Sequence, residues 1–304
     1  MAVDDQTTRA RVPVGRRSFA RPTLRPILEE AGSDGWGALM QAERIRVMVT
    51  VKAYPTLSKQ YDETVCVAGV RVDTGVPQHV RLFPVPFRDL EQGRQFDKYD
   101  LIEVDVVDHA KDPRPESRRP RLDSIKVVGH VPTDGNWERR ARWVRPLVAE
   151  SLCAIKREQE ARGTSLGVFR PAEVKDFRLL KADDRSAWQE MMASQMNIFD
   201  QERKKLEAMP YRFVYRFRCN DSRCRGHEIG LLDWEAGAAY LKWRRLYSPE
   251  VLKEKIRQKW FTEIAGPRRD LHFFVGNLHK RPGQFMLLGA FYPPSGVMDQ
   301  GQLF

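Results

Sequence analysis

The residues best suited to metal chemistry are two cysteines and a histidine with the spacing C-x4-C-x2-H, namely Cys219, Cys224 and His227. Thiolates and imidazoles are ligands that zinc prefers, and a structural zinc site takes four of them in a tetrahedron. Here a strand-like segment and a helix-like segment flank a turn that contains glycine, as in a zinc finger. The candidates for the fourth ligand are His272, His279, Asp221 and a water. The pattern predicts a structural Zn²⁺, and the alternative is a loop that brings these side chains together without metal.

Two acidic residues give a second chemical possibility. Glu103 and Asp105 alternate along a predicted strand and therefore share one of its faces. A carboxylate pair of this kind can bind Mg²⁺ in a nuclease. The other explanation is a solvated strand face, and the strand lacks the downstream Glu-x-Lys pattern of many nucleases. Phosphate-binding glycine loops and hydrolase motifs are also absent from the sequence.

Basic residues cluster in four places rather than spreading evenly. They are an N-terminal arm rich in arginine, a proline-rich loop over residues 111–126, a helix that follows it, and the Cys/His loop. Arginine in such clusters can contact phosphates, whereas the alternative is a solvated tail and ordinary solvent-facing charge. The candidate nucleic-acid contacts are Arg16 and Arg17 of the arm, Arg118, Arg119 and Arg121 of the loop, Arg139 and Arg140 of the helix, and Arg218, Arg223 and Arg225 of the Cys/His loop.

The C-terminal residues form a possible partner motif. The last five residues resemble the peptide by which many bacterial DNA-processing proteins bind the sliding clamp, which reads Gln, two variable residues, Leu and Phe. Gln300, Leu303 and Phe304 match it, whereas Gly301 stands where leucine is usual. The resemblance implies apolar anchors that enter a pocket of the clamp. The alternative is that Leu303 and Phe304 pack into the core.

Composition restricts the class of protein. Lys and Arg number 52 against 41 Asp and Glu, which gives a net charge of +11 in 304 residues. Such an excess attracts polyanions. There is no apolar run of 18 residues and no secretory leader pattern, so we expect a cytoplasmic protein with no membrane partner. Four cysteines are too few for a disulfide framework in a chain of this length, and Cys66 and Cys153 stand in apolar surroundings typical of reduced core residues.

The elements that must position these residues predict an α+β fold. Apolar and polar residues alternate in short runs over 45–135, which favours a small β-barrel or curled sheet with a PUA-like or OB-like architecture. Helical patterns over 136–210, with a break at Pro146, and a finger-bearing α+β region follow. We therefore divide the chain into a flexible basic arm (1–44), a β-rich domain (45–135), a helical segment (136–210), an α+β domain with the Cys/His loop (211–295) and a C-terminal tail (296–304).

Four short segments carry a family resemblance. They are Lys52-Ala-Tyr-Pro55, Arg81-Leu-Phe-Pro-Val-Pro-Phe87, Cys224-Arg-Gly-His-Glu228 with Asp233-Trp-Glu235, and Phe273-Phe-Val-Gly276. Together they resemble a bacterial family with no assigned activity, some members of which are encoded near defence or mobile-element genes. The sequence thus predicts a DNA-binding accessory protein of bacterial genome maintenance or defence. A metal-dependent nuclease that uses Glu103 and Asp105, and an RNA-binding module, are the alternatives.

Overall fold

The computed structural model describes residues 42–53, 56–58, 62–87, 90–181 and 209–299. Three expectations fall outside these ranges. They concern the arm with Arg16 and Arg17, residues 182–208 of the predicted helical segment, and the tail with Gln300, Leu303 and Phe304.

Seven strands form the first sheet. They are β1 (Glu43–Lys52), β2 (Thr56–Ser58), β3 (Asp62–Arg71), β4 (Gln78–Val85), β5 (Asp100–Asp108), β6 (Ser117–Pro120) and β7 (Lys126–His130). Five of them close into a barrel in the order β1-β3-β4-β6-β5, because β1 also pairs with β5. All pairs in this ring are antiparallel except β4 with β6. The predicted small OB-like barrel is therefore confirmed.

The alternation of apolar and polar residues determines which side chains lie inside the barrel. Ile45, Val47, Leu82 and Ile102 are buried in its interior, and the polar residues between them on β5 point outward. The barrel differs from a simple one on its β1–β3 side, where outward-facing residues such as Met48 are buried as well. A second layer must therefore cover that side.

A second seven-stranded sheet supplies this layer, and its order is β10-β11-β12-β14-β13-β9-β8. Its strands are β8 (Val148–Ala149), β9 (Leu166–Phe169), β10 (Pro171–Lys181), β11 (Tyr211–Cys219), β12 (His227–Leu231), β13 (His272–Leu278) and β14 (Arg281–Phe291). The α-helices of the described ranges are α1 (Glu138–Val144), α2 (Leu152–Arg162), α3 (Trp234–Trp243) and α4 (Pro249–Arg257), and a π-helical turn (Gln258–Glu263) follows α4. None of them is long and apolar enough to cross a bilayer.

The two sheets share one core and belong to one compact unit. Met48 and Val70 of the barrel pack with Phe274 and Phe291 of the second sheet. Arg81 of β4 is 2% exposed and donates to Ser165 Oγ at 2.7 Å, just before β9. A separate cluster lies between the second sheet and helices α3 and α4. The barrel and the second sheet are thus joined by buried contacts.

The prediction of a helical segment over 136–210 is correct for its first part and wrong after it. Helices α1 and α2 form on either side of Pro146, as predicted. Residues 166–169 and 171–181, however, are strands β9 and β10, so the helical prediction is wrong there. The reason is tertiary, since β10 pairs along its whole length with β11 and buries Phe177 against it.

Candidate metal centre and basic barrel face

Four metal-ligand side chains meet at one end of the second sheet. The ligand atoms of Cys153, Cys219, Cys224 and His227 all lie within 4.8 Å of one another. His227 Nε2 lies 3.3 Å from Cys224 Sγ and 3.5 Å from Cys153 Sγ. A tetrahedral zinc with ordinary bond lengths holds sulfur and nitrogen ligands about 3.5 Å apart. The group therefore has the composition and dimensions of a Cys₃His zinc site.

Local structure places three of the ligands on one turn. Cys219 ends β11, His227 begins β12, and Phe217 pairs with His227 in the antiparallel register. Gly226 has a φ of +97°, which glycine adopts without a steric cost. The C-x4-C-x2-H spacing is thus the length of a tight connection between two neighbouring strands.

The fourth ligand comes from the first turn of α2. Ser151 caps this helix and accepts a hydrogen bond from the Ala154 backbone N–H at 2.9 Å. Cys153 follows it, is a free cysteine packed against the hydrophobic cluster, and points toward the strand turn. The prediction that His272 supplies this ligand is therefore corrected. His272 lies apart from the group, with its Nδ1 3.0 Å from the Asp270 carbonyl oxygen. Cys153 was missed because it is distant in sequence and lacks a neighbouring cysteine or histidine.

The other proposed fourth ligands also have different partners. Asp221 accepts a hydrogen bond from Arg157 at 2.8 Å and another from the Arg223 backbone N–H at 2.9 Å. His279 lies 3.4 Å from a carboxylate oxygen of Asp112. Asp221 therefore links the turn to α2 through its hydrogen bond with Arg157 and is not a member of the ligand group.

The four ligands differ in their electrostatic surroundings. Burial raises the pKa of Cys153 and raises that of Cys219 to about 12. Burial also acts to raise the pKa of Cys224, but hydrogen bonds outweigh it and the pKa is lowered, chiefly because the backbone N–H groups of Cys219 and Gly226 donate to its sulfur. Burial lowers the pKa of His227 and so favours the neutral imidazole that metals require. Cys224 is thus the thiol best prepared to bind metal as a thiolate.

The acidic pair of β5 lies where the sequence predicted, on one outer face of the barrel. Glu103 accepts hydrogen bonds from Arg44 and Arg46, and Asp105 accepts one from Arg44 at 3.2 Å. The hydrogen bond from Arg46 is the main reason that the pKa of Glu103 is lowered. Both carboxylates are therefore partners of arginine, and the geometry does not favour a Mg²⁺ site.

The same face carries an excess of positive charge. Arg46 of β1 is opposite Glu103 of β5, which is opposite Lys126 of β7. Arg119 of β6 is opposite Val107, on the same outward side. We call this surface the barrel face, and it consists of Arg44, Arg46, Glu103, Asp105, Arg119, Arg121 and Lys126. Five cations against two carboxylates leave it basic, and within the described residues Arg119 and Arg121 form no ion pair with a carboxylate.

The second sheet covers one side of the barrel and leaves another side exposed to solvent. Five-stranded barrels of the OB type often bind ligands across their second and third strands. Those strands are β3 and β4 here, and their outer residues Ala68, Val70 and Arg81 are buried. The barrel face on β1, β5, β6 and β7 is the side on which charged residues are left exposed.

The remaining predicted contacts are distributed over other surfaces. Arg118 is partly exposed and donates to backbone carbonyls at Pro115 and Ser117. Arg139 is exposed near Asp134, but Arg140 is buried, so its prediction as a surface phosphate contact is corrected. The exposed arginines of the Cys/His turn are Arg218, Arg223 and Arg225.

Sequence comparison assigns the chain to a family. The domain of unknown function DUF8757 matches residues 148–304, slightly more than half of the chain. The chain belongs to the DUF8757 family. A second domain of unknown function, DUF8758, matches residues 43–146, so the barrel and α1 precede the DUF8757 region. No curated protein sequence is significantly similar to the chain.

Solved structures give only distant similarities. One is a murine DNA binding protein bound with double-stranded DNA, at 11% identity and a TM-score of 0.29, covering 83% of this chain and 94% of that one. Another is a Replication Protein A heterotrimer bound to single-stranded DNA, at 10% identity and a TM-score of 0.34, covering 88% of this chain and 52% of that one. Scores below 0.5 are too low to establish a shared fold or a shared ligand.

Proposed function

We propose that the protein is a cytoplasmic nucleic-acid-binding accessory protein of bacterial genome maintenance or defence, with DNA rather than RNA as its partner. The barrel face is the observation that supports this proposal. It places cations from β1, β6 and β7, together with Arg121 directly after β6, on a side of the barrel that the second sheet leaves exposed, where they can contact phosphates. The net charge of +11 favours the same partner.

A charge-reversal experiment tests the role of the barrel face. The double variant Arg119→Glu, Arg121→Glu is expected to bind DNA more weakly, by about tenfold or more at low salt, because two phosphate contacts are lost. The slope of log affinity against log salt is expected to fall by about 2. Gel shifts or fluorescence anisotropy over a salt series measure both quantities. Lys255→Glu, Lys280→Glu is the charge-matched control, since both lysines are exposed and lie outside the barrel face.

The choice of probes separates this function from the alternatives. Single-stranded DNA, duplex DNA and RNA are each tested with and without Mg²⁺. Binding to DNA without cleavage supports the proposal, and stronger binding to RNA would favour an RNA-binding module. Mg²⁺-dependent cleavage that is lost in Glu103→Ala would favour a nuclease. Absence of binding to every probe at low salt, or equal binding by the two double variants, would contradict the proposal.

We further propose that the Cys₃His group holds a structural Zn²⁺. Four protein ligands complete a tetrahedron, whereas a catalytic zinc keeps one position open for water or substrate. Cys219 and Cys224 are each 5% exposed, so solvent has little access to the group. The proposed role of the zinc is to fix the β11–β12 turn against α2, and with it the exposed arginines of that turn.

A third proposal concerns the partner motif at residues 300–304. Gln300, Leu303 and Phe304 are proposed to bind the bacterial sliding clamp, which would recruit the protein to replicating DNA. A pull-down with purified clamp is expected to retain the full chain and to lose a chain that ends at Gln300. Retention of both to the same extent would contradict clamp binding, whereas the DNA-binding proposal would be unaffected.

A further inference from the structure

A cavity of about 370 Å³ lies where the barrel meets the second sheet. Its walls come from the end of β1, from the segment before β5, from α1 and the segment that leads into it, from the first turn of α3 and from the end of β14. Its volume is at the lower end of the range for small-ligand sites, and junctions between domains are frequent positions for such sites. The cavity is separate from the Cys₃His group and from the barrel face.

Three cations line this cavity although each is nearly buried. Lys52, Lys98 and Arg140 are between 7% and 9% exposed. Buried cations are costly unless the structure provides partners. Lys98 has two carboxylate partners, Asp233 at 3.3 Å and Glu235 at 3.1 Å.

The other two cations are held mainly by neutral groups. Lys52 Nζ lies 3.3 Å from the Phe96 carbonyl oxygen and 3.4 Å from the carboxylate of Asp97, which is 88% exposed. Arg140 Nε donates to the Val131 carbonyl oxygen at 2.6 Å, and within the described residues no carboxylate forms an ion pair with its guanidinium. These two cations are therefore positioned by the protein without being neutralised by a buried acid.

Aromatic rings form another part of the wall. The Arg140 guanidinium carbon lies 3.7 Å from the centroid of the Tyr99 ring and 5.2 Å from that of Trp137. The Trp137 and Tyr292 ring centroids are 5.2 Å apart. Lys52 Nζ lies 5.2 Å from the centroid of the Trp234 ring. Flat apolar surfaces and fixed hydrogen-bond donors thus surround the same space.

Backbone strain is concentrated at this cavity. Tyr99, Asn136 and Trp137 have φ angles of 69°, 55° and 70°, and within the described residues they are the non-glycine residues with positive φ. Residues other than glycine rarely adopt such angles, and they concentrate at functional sites where the fold holds a side chain in place. Tyr99 and Trp137 both line the cavity. The surrounding fold therefore holds two of the aromatic walls in conformations that are unfavourable on their own.

The chemistry of the walls limits the ligand. Lys52 and Arg140, which no buried acid neutralises, disfavour a cationic ligand, and the aromatic rings favour a flat one. The donors Lys52 and Arg140 require acceptor atoms, whereas the rim carboxylate of Glu235 accepts from N–H groups. A nucleobase combines a planar ring, acceptor oxygens or nitrogens and N–H donors, and proteins read single unstacked bases by these contacts.

We propose that this cavity binds one unstacked nucleobase, either as a free nucleoside or as a base turned out of a nucleic-acid strand. This inference rests on the proposed nucleic-acid function and assigns the part of it that contacts a base. The barrel face would contact phosphates, and the cavity would contact the base.

Binding of single nucleosides to the full chain tests the cavity without phosphate contacts. Guanosine, adenosine, cytidine and thymidine are titrated separately by calorimetry, and ribose 5-phosphate serves as a ligand without a base. At least one nucleoside is expected to bind with one site per chain, and ribose 5-phosphate is not. Lys52→Met is expected to weaken nucleoside binding by about tenfold or more, since one contact to a base edge is lost. Its exposed partner Asp97 can remain charged in water, so this variant is expected to fold.

A second variant keeps the test valid if Lys52→Met does not fold. A third variant separates base binding in the cavity from phosphate binding by the barrel face. Glu235→Gln removes the negative charge at the half-exposed rim and replaces one acceptor oxygen with an N–H donor, so it is expected to weaken nucleoside binding. Arg119→Glu, Arg121→Glu is expected to bind nucleosides as the wild type does. Competition between a nucleoside and a short single-stranded oligonucleotide distinguishes a flipped base from a free nucleoside.

Three results would overturn the base pocket. They are no binding of any nucleoside, equal binding of ribose 5-phosphate, and unchanged nucleoside affinity in folded Lys52→Met and Glu235→Gln. If salt-dependent DNA binding persists in that case, the proposed function stands and the pocket alone fails. If nucleosides bind but no oligonucleotide does, the nucleic-acid proposal fails and the pocket stands.

Discussion

Cys224→Ser is expected to abolish zinc binding and to lower the free energy of unfolding by on the order of 5 kcal/mol, because the energy of a structural zinc contributes directly to folding. The wild type is expected to carry one zinc per chain. Cys224 has the lowered thiol pKa of the group, since two backbone N–H groups donate to its sulfur, so its removal takes away the best prepared ligand. Elemental analysis of the purified protein and thermal unfolding measure the two effects.

The controls for this experiment are a second cysteine and a chelator. Cys66 lies outside the ligand group, so Cys66→Ser is expected to keep the zinc and most of the stability. A strong chelator is expected to reduce the melting temperature of the wild type toward that of Cys224→Ser, and to leave the variant nearly unchanged. A wild type that is purified without metal and melts at the same temperature with chelator would contradict a structural zinc.

Lys98→Met is expected to destabilise the fold by about 3–5 kcal/mol, which is roughly 10 °C in melting temperature. Lys98 and Asp233 are both buried, and the lysine is the cationic partner of the carboxylate at 3.3 Å. Burial acts to lower the pKa of Lys98, but the carboxylates of Asp233 and Glu235 outweigh this effect and the pKa is raised. Lys98 and Asp233 are therefore both charged at neutral pH. Removal of the lysine would leave Asp233 as an unpaired buried charge.

The destabilisation in Lys98→Met is expected to depend on pH and to be smaller at low pH. Burial raises the pKa of Asp233 above its unfolded value, and loss of Lys98 would raise it further. The unfolded chain then ionises this group more readily than the folded chain does, so stability is lost as pH rises from about 4. The difference in unfolding free energy between wild type and Lys98→Met is therefore expected to shrink toward pH 4.

A double-mutant cycle tests whether loss of the Lys98–Asp233 ion pair causes the destabilisation. Lys98→Met, Asp233→Asn is expected to recover part of the lost stability, although the asparagine must still cap α3. Glu235→Gln is expected to cost much less, because its side chain is 53% exposed. Equal losses in Lys98→Met and Glu235→Gln at all pH values would contradict the importance of the buried pair.

The sequence predicted those parts of the fold that local patterns determine. Several short runs of alternating apolar and polar residues over 45–135 were enough to predict a barrel, and β5 shows this alternation most clearly. The failure at β9 and β10 has a physical cause, because their strand conformation comes from pairing with distant strands. Propensity within the segment carries little of that information.

The candidate sites show the same division between local and distant information. Three ligands of the Cys₃His group lie on one turn and have a readable spacing, whereas Cys153 joins them only through the packing of α2. Likewise, Arg140 reads as one of several surface arginines, and its burial beside Tyr99 depends on how α1 meets the barrel. The cavity has no continuous motif, since its walls come from five separate parts of the chain.

The shared core described above has an evolutionary consequence. DUF8758 and DUF8757 cover neighbouring stretches of this chain, yet Met48 and Val70 of the first are buried against Phe274 and Phe291 of the second. If either stretch were produced alone, it would expose this apolar surface to water and become prone to aggregation. The two stretches of this chain are therefore expected to evolve together. Recombination that replaced one of them would have to supply an apolar surface that still packs against the other.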